Sequence, residues 1–413
     1  ALSSEEKEQL SPYIVKLTQI NPKICWKISL DELFPLQGQA KTILKTVTEG
    51  DRIITEEAWV KLFEKAGKPK RPNSYGDSDV PYIEKNGQRI YVKFFPKLPG
   101  TELAVINLAE SLLGYCVPYC ELATIDDIPV LLTQGIPGET IYEVLKIYPE
   151  RLSQLDSESV SKALILAMLI NPGDGNLGNY ILSPFTNSAD QIRYRLISID
   201  NEQAFMPAVA KPIKADSRWS NTPTLQVKTI LYCLDDLKAP VNSAVINKIK
   251  NADLLDILEN WLNSLKIHHQ AIIKRFNSTL SRKYQEDKTT ILGVTFAPGM
   301  IKQLFTKLMR LQTALNKKNP PLHLELLEHL EPFVAHRYRP VIQNVRLDAM
   351  ERFIKLEHTT KEEKVLTSSS NNLAHLLISR EIPDMNKLQT GLWSGKYGPD
   401  QAFRELQEVK EQH

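Results

Sequence analysis

The chain has 413 residues, 42% hydrophobic and 24% charged, ordinary proportions for a globular protein with room for two or three domains. Its net charge of +2 removes any global electrostatic case for nucleic acid or an acidic membrane, and no apolar run nears the ~18 residues of a membrane span. Four cysteines in this length point to free thiols in a reducing compartment, so a cytoplasmic setting is expected.

Residues 1–70 read as a helical extension. Ser3-Ser4-Glu-Glu opens one candidate helix and Thr55-Glu-Glu-Ala-Trp another, each with acids near its start. The beginning carries no signal-peptide pattern, although a first residue other than Met leaves a removed leader open. Lys68-Pro-Lys-Arg-Pro72 reads as a solvated linker.

Residues 71–135 change character. Tyr82 to Phe94 predicts a hairpin with Asn86-Gly87 as its two-residue turn. Thr101 to Gly114 predicts a helix with Leu103, Ile106, Ala109 and Leu113 on one face and Gly114 as C-cap. Two strands follow, Cys120–Ile125 and Ile128–Gln134, punctuated by Asp126-Asp127 and broken by Gly135-Ile-Pro-Gly138.

Ser159 to Ile170 predicts a helix, and Thr224 to Phe276 reads as helical, with Leu225, Val227, Ile230, Leu231 and Leu234 in one apolar cluster. Residues 283–290 are a polar connection. Residues 297–413 look all-helical, with loops expected at Thr359–Lys364 and Ser368–Asn372.

All eight histidines lie at or beyond His268, so the first 267 residues hold no Ser-His-Asp triad or histidine metal site of their own. His323, His329 and His336 lack the i, i+4 spacing of a helical zinc pair and read as surface or packing residues. Cys116 and Cys120 read as two partly buried thiols.

One constellation carries chemistry. Asn171-Pro-Gly-Asp174-Gly-Asn176-Leu-Gly-Asn179 runs into an apolar Tyr180-Ile-Leu182, and a second apolar run, Leu196-Ile-Ser-Ile199, delivers Asp200. An Asp, an Asn five residues later and a second Asp at a strand end is the spacing of a kinase catalytic centre. There the first Asp orients the attacking hydroxyl, and the Asn and second Asp hold Mg²⁺ against the phosphates of ATP.

The order strand, strand, helix, strand, strand, Gly/Pro break is that of a kinase small lobe. Lys93, ending the apolar run Ile90-Tyr-Val, reads on its own equally as an edge-strand lysine facing solvent or as the phosphate lysine, a buried ammonium being costly unless paired; the downstream triplet favours the phosphate role. Glu102 and Glu110 on the next helix are both candidates for its acid partner. Gln134, at the end of its strand before the break, completes the nucleotide contacts expected in this half. Ser74 and Gly76 in Pro72-Asn-Ser-Tyr-Gly-Asp-Ser78 are candidates for a phosphate-covering loop, opposed by Asp77 and Asp79. Lys211, Lys214, Arg218 and Trp219 form a basic loop suited either to an anionic substrate or to plain solvation.

The strand Ile199-Asp-Asn-Glu-Gln-Ala-Phe205, with Pro207 beyond it, resembles the Ile-Asp-Asn-Gly-Leu-Ala-Phe-Pro strand of the phosphatidylinositol 3- and 4-kinase superfamily, most closely the type II phosphatidylinositol 4-kinases. A Ser/Gly loop, a hairpin, a strand lysine and the run Lys97 to Glu102 extend the resemblance over residues 72–235. It implies an atypical, bilobal, protein-kinase-like α+β fold: small lobe 71–135, large lobe 136–285, all-α extensions 1–70 and 286–413. It implies ATP and Mg²⁺ as cofactors, Lys93 on the phosphates, Asp174 as catalytic residue, and Asn179 and Asp200 on the metal. Actin-fragmin kinase and HipA-like protein kinases share the architecture, so the acceptor stays open between a protein hydroxyl and a phosphoinositide. Gly175 stands where the family has Arg, Glu202 where it has Gly, and the family's palmitoylated cysteine cluster is absent. Helix-extended kinases of this kind occur among bacterial effectors, which act in a host cytosol. Two alternatives stand beside this reading: a pseudokinase or scaffold whose C-terminal helices bind a protein partner, and another nucleotide-dependent transfer, adenylylation or glutamylation, on the same fold.

Overall fold

The computed structural model describes residues 28–29, 53–54, 82–85, 88–94, 96–125, 128–210, 224–276, 293–362 and 397–412. The candidate helices at Ser3 and Thr55, the Ser74/Gly76 loop, the basic loop Lys211–Trp219 and the expected loop Ser368–Asn372 lie outside them. The four described residues before 70 form a short antiparallel pair, β1 (Ile28–Ser29) with β2 (Ile53–Ile54). The chain divides into two compact units, one of Ala1–Pro99, Pro118–Ile136 and Gln270–Leu292, the other of Gly100–Val117, Pro137–His269 and Gly293–His413. The class is α+β, as expected.

The first unit holds a four-stranded antiparallel sheet ordered β3-β4-β6-β5, from β3 (Tyr82–Lys85), β4 (Gln88–Phe94), β5 (Cys120–Ile125) and β6 (Ile128–Gln134). Lys85 pairs with Gln88, the register that a two-residue Asn-Gly connection dictates. β4 is a central strand, which explains its β-branched and aromatic run. Val92 and Leu122 are fully buried in this sheet.

The second unit begins within α1 (Pro99–Leu112), which closes on Gly114 at φ +79, the left-handed geometry that glycine adopts at no steric cost. A three-stranded antiparallel sheet follows, ordered β7 (Glu139–Thr140), β8 (Tyr180–Thr186), β9 (Ile192–Ser198). Thr140 and Glu143 form a reciprocal capping box at the start of α2 (Ile141–Ile147).

Helix α3 (Ser157–Ile170) starts on Asp156, whose Oδ2 accepts from Ser159 N at 2.8 Å. Every residue from Val160 to Ile170 except Lys162 is buried, so this helix is the axis of the unit rather than an amphipathic surface helix. Around it and beyond lie α4 (Ser243–Lys250), α5 (Leu254–Phe276), α6 (Met300–Leu315), α7 (His323–Leu330), α8 (Pro332–Ile342), α9 (Ala349–Glu362) and α10 (Pro399–Gln412). Trp261 of α5 is buried and donates from Nε1 to Ala104 O of α1 at 2.8 Å.

Two expectations fail. Residues 224–238 are not α-helical: Thr224–Leu225 (β11) pairs with Val209–Ala210 (β10), and short 3-10 helices occupy Ile230–Cys233 and Asp235–Lys238. The apolar cluster there is buried as expected, but this stretch gives its backbone bonds to the Asp174 loop, with Lys228 N donating to Pro172 O and Gly175 N to Lys228 O. The loop expected from Thr359 is helical through Glu362, because α9 has a strong start (Glu351 N to Asp348 Oδ1, 2.8 Å; Asp348 N to Glu351 Oε2, 3.0 Å) and meets no Gly or Pro there.

Candidate active site

The Asp174 loop begins where α3 ends. Asn171 takes φ +47, a left-handed C-cap that turns the chain out of the helix. A 3-10 turn, Leu177–Asn179, then feeds β8. Asn176 is the capping residue of that turn, and its amide works at both ends. Its Oδ1 accepts from Gly178 N at 2.8 Å, while its Nδ2 donates to Asp174 Oδ1 at 3.0 Å. The spacing Asp174-x-Asn176 is the signal in the sequence that this amide aims the carboxylate.

Asn179 donates from Nδ2 to the backbone O of Asp174 at 2.6 Å. That fixes the amide and leaves Oδ1 as its atom able to ligate a cation. Ile199 N donates to Asn179 O at 2.8 Å, which ties the end of β9 to the start of β8. Asp200 follows at φ +54, outside the ordinary range of a non-glycine residue. Such conformations cost of order 1–3 kcal/mol and concentrate at functional sites.

These geometries bring three of the expected residues together. One pocket is lined by Pro172, Asp174, Asn179, Tyr180, Ser198 and Asp200, with Asn201 beside them. Asn201 is 6% exposed; its Oδ1 accepts from Ser198 Oγ at 2.9 Å, and its Nδ2 has no hydrogen-bond partner among the described residues. A buried donor left unpaired costs roughly 1–3 kcal/mol, a cost that a bound phosphate oxygen or water would remove. Among the described residues no three His, Cys, Asp or Glu side chains cluster as a metal site; the oxygen-bearing side chains that line the pocket include Asp174, Asn179 and Asp200. Oxygen donors of this kind fit Mg²⁺, which keeps several waters and takes one or two protein ligands.

Gly175 follows Asp174 at a point of tight packing. A Cβ there would lie 2.6 Å from Lys228 O, 2.6 Å from Thr229 Cβ and 2.7 Å from Tyr180 Oη. No larger side chain has room at this position. The space goes to a two-residue parallel contact, Gly175 N to Lys228 O at 2.7 Å and Ile230 N to Gly175 O at 2.8 Å. Beneath it Tyr180 Oη and Thr229 Oγ1 are 2.7 Å apart, and Thr229 N donates to Tyr338 Oη at 2.9 Å. Burial pushes the Tyr180 phenol well up, with the Asp174 charge adding to it.

The other candidates among the described residues are Lys93, Gln134, Glu102 and Glu110. Lys93 sits on β4 opposite Leu131 and is half-buried. Gln134 ends β6, and its Oε1 accepts from Tyr119 N at 3.3 Å, so part of its capacity goes to the sheet. Glu102, in the first turn of α1, is 3% exposed. Glu110 is half-buried, and its charge acts on Lys248, whose ammonium burial and Lys162 hold below the ordinary lysine range. Cys116, Cys120 and Cys233 are buried thiols, and burial raises the Cys116 thiol to about 12, leaving it unreactive near neutrality. No described helix is long and apolar enough to cross a membrane.

No family model matches the sequence, and no curated protein does. Among solved structures, a Helicobacter pylori proinflammatory kinase, CtkA, is similar at 12% identity and a TM-score of 0.29, over 50% of this chain and 94% of that one. The pseudokinase domain of BIR2, an immune regulator of the RLK/Pelle family, is similar at 8% identity and a TM-score of 0.25, over 91% of this chain and 98% of that one. Likenesses this loose add nothing to the phosphoinositide-kinase resemblance and do not separate an active kinase from a pseudokinase.

Proposed function

We propose that this chain is an atypical ATP- and Mg²⁺-dependent kinase that transfers the γ-phosphoryl group to a hydroxyl of a protein or a phosphoinositide. The supporting observation is that Asp174, Asn179 and Asp200 line one pocket, with Asp200 held in a left-handed conformation. In this reading Asp174, aimed by Asn176, accepts the proton of the attacking hydroxyl. Mg²⁺ held by Asn179 Oδ1 and Asp200 would neutralise the phosphate charge during transfer. Lys93 would contact the phosphates, and Glu102 and Glu110 are both proposed candidates for its acid partner. Ser74, Gly76 and Gln134 complete the proposed nucleotide contacts.

The chemistry is tested with ATP labelled separately at the α and γ phosphates, offered with Mg²⁺ to a protein extract and to mixed phosphoinositide vesicles. Label from the γ position in either acceptor, lost in Asp174→Ala, supports the reading and identifies the acceptor. Label from the α position means adenylylation. No transfer, with binding of nucleotide retained, means a pseudokinase.

A further inference from the structure

The C-terminal carbonyls of α3 are accounted for one by one, and one of their partners is unexpected. The last turn of any helix leaves carbonyls without intrahelical donors. Here Ala167 O accepts from Asn171 N at 3.0 Å, and Ile170 O from Phe205 N. Met168 O and Leu169 O accept instead from the ammonium of Lys307 on α6, at 2.8 and 3.3 Å. The same Nζ donates to Asn171 Oδ1 at 2.8 Å and pairs with Glu331 Oε1 at 2.7 Å. Asn171 Nδ2 in turn donates to Glu331 Oε1 at 3.0 Å and to Met206 O at 3.0 Å. Lys307 is 8% exposed, Glu331 6% and Asn171 6%.

The charges suit their places. An ammonium at a helix C-terminus opposes the negative end of the macrodipole, and the carboxylate neutralises it inside the protein. A buried ion pair is poor evidence for stability as such, since an apolar pair of the same volume often does as well. What this pair supplies is geometry. Asn171 is the residue at which the chain turns left-handed toward Asp174, and Met206 lies on the segment that returns from Asp200. Gly173 N also donates to Gln203 O at 2.8 Å, so the two limbs of the pocket meet where the buried cluster grips them.

We infer that Lys307 and Glu331 are positioning residues through which the C-terminal helices hold the Asp174 and Asp200 limbs in register. The inference rests on the proposed role of Asp174. It makes the region from α6 to α8 part of the working site rather than an appendage, although neither residue reaches the pocket.

The test compares Lys307→Met, Glu331→Gln and the double variant Lys307→Met/Glu331→Gln in the full chain. Each single change strands a buried charge and lowers the thermal midpoint; the double change removes both charges and recovers most of the loss. A purely structural pair predicts that the double variant also recovers turnover. The positioning role predicts a kcat roughly ten- to a hundredfold below wild type, with nucleotide KM within about threefold. Wild-type kcat in the double variant overturns the inference, as does a parallel fall in kcat and nucleotide affinity. If the wild-type chain transfers no phosphoryl group, the kinase reading fails, and amide hydrogen exchange decides the clamp. Faster exchange at Gly173, Gly175 and Gly178 in the double variant, with α3 unchanged, supports it; unchanged exchange there overturns it.

Discussion

Asp200→Asn separates stability from cation binding at the site. Asp200 sits at φ +54, a conformation that Asp and Asn tolerate better than other side chains because their short polar groups bond locally. The substitution keeps shape and backbone preference and removes one negative charge. The ligand-free variant is therefore expected within about 1 kcal/mol of wild type, the range of a near-isosteric change that creates no cavity. Ligand stabilisation is a different quantity. A nucleotide at a hundred times its Kd stabilises the folded state by about 2.7 kcal/mol, which amounts to a rise of roughly 5 °C in the midpoint for a domain of this order. With the Asp200 carboxylate gone, Mg²⁺ loses its charged ligand, and most of that rise is expected to vanish. Differential scanning fluorimetry of both proteins, with and without MgATP and with ATP plus EDTA, reads it directly. An undiminished MgATP shift in Asp200→Asn refutes the cation role of Asp200, and a large fall in the ligand-free midpoint refutes the claim that the left-handed turn is what Asn preserves.

Three further outcomes follow from the geometry. Asn176→Ala removes the donor that aims Asp174 and the cap on Gly178, so steady-state kinetics are expected to show kcat down about tenfold at nearly constant nucleotide KM, with about 1 kcal/mol of stability lost by urea titration. Gly175→Ala places a methyl group 2.6 Å from a backbone oxygen, and forcing the 228–230 segment away is expected to cost about 1–3 kcal/mol by the same titration. His323, 2% exposed, donates from Nδ1 to Asp236 O (3.1 Å) and accepts from Ser161 Oγ at Nε2 (2.9 Å), and burial lowers its pKa from 6.5 to about 4. Below pH 6.5 the unfolded chain takes up a proton that the folded chain refuses, so stability falls as pH drops toward 4. The loss reaches about 2.5 kcal/mol by pH 4.5, and in His323→Asn denaturation midpoints at pH 7 and 4.5 are expected to differ by that much less.

Several parts of this molecule were legible from residue order alone. Asn86-Gly87 dictated the Lys85–Gln88 register, and alternating apolar runs delivered β8 and β9 with Asn179 and Asp200 at their ends. Local chemistry suffices for such features. Segment 224–238 was misread because its apolar residues answer to the Asp174 loop, a tertiary partner that no local period reveals. The grip of Lys307 on α3 was invisible for a related reason: a lysine on an amphipathic helix reads as solvated until the carbonyls it meets, 138 and 139 positions earlier, are placed beside it. At Gly175 φ is not positive, and the missing side chain makes room for Lys228 and Thr229, a packing demand that residue order does not reveal.

The account turns on Asn179 and Asp200 sharing one cation with a nucleotide beside Asp174. A crystal grown with Mn²⁺ and a non-hydrolysable ATP analogue tests this by anomalous scattering. The prediction is a manganese peak roughly 2.0–2.4 Å from both Asn179 Oδ1 and an Asp200 carboxylate oxygen, with the terminal phosphate facing Asp174. A nucleotide bound with its metal away from both residues would contradict the account.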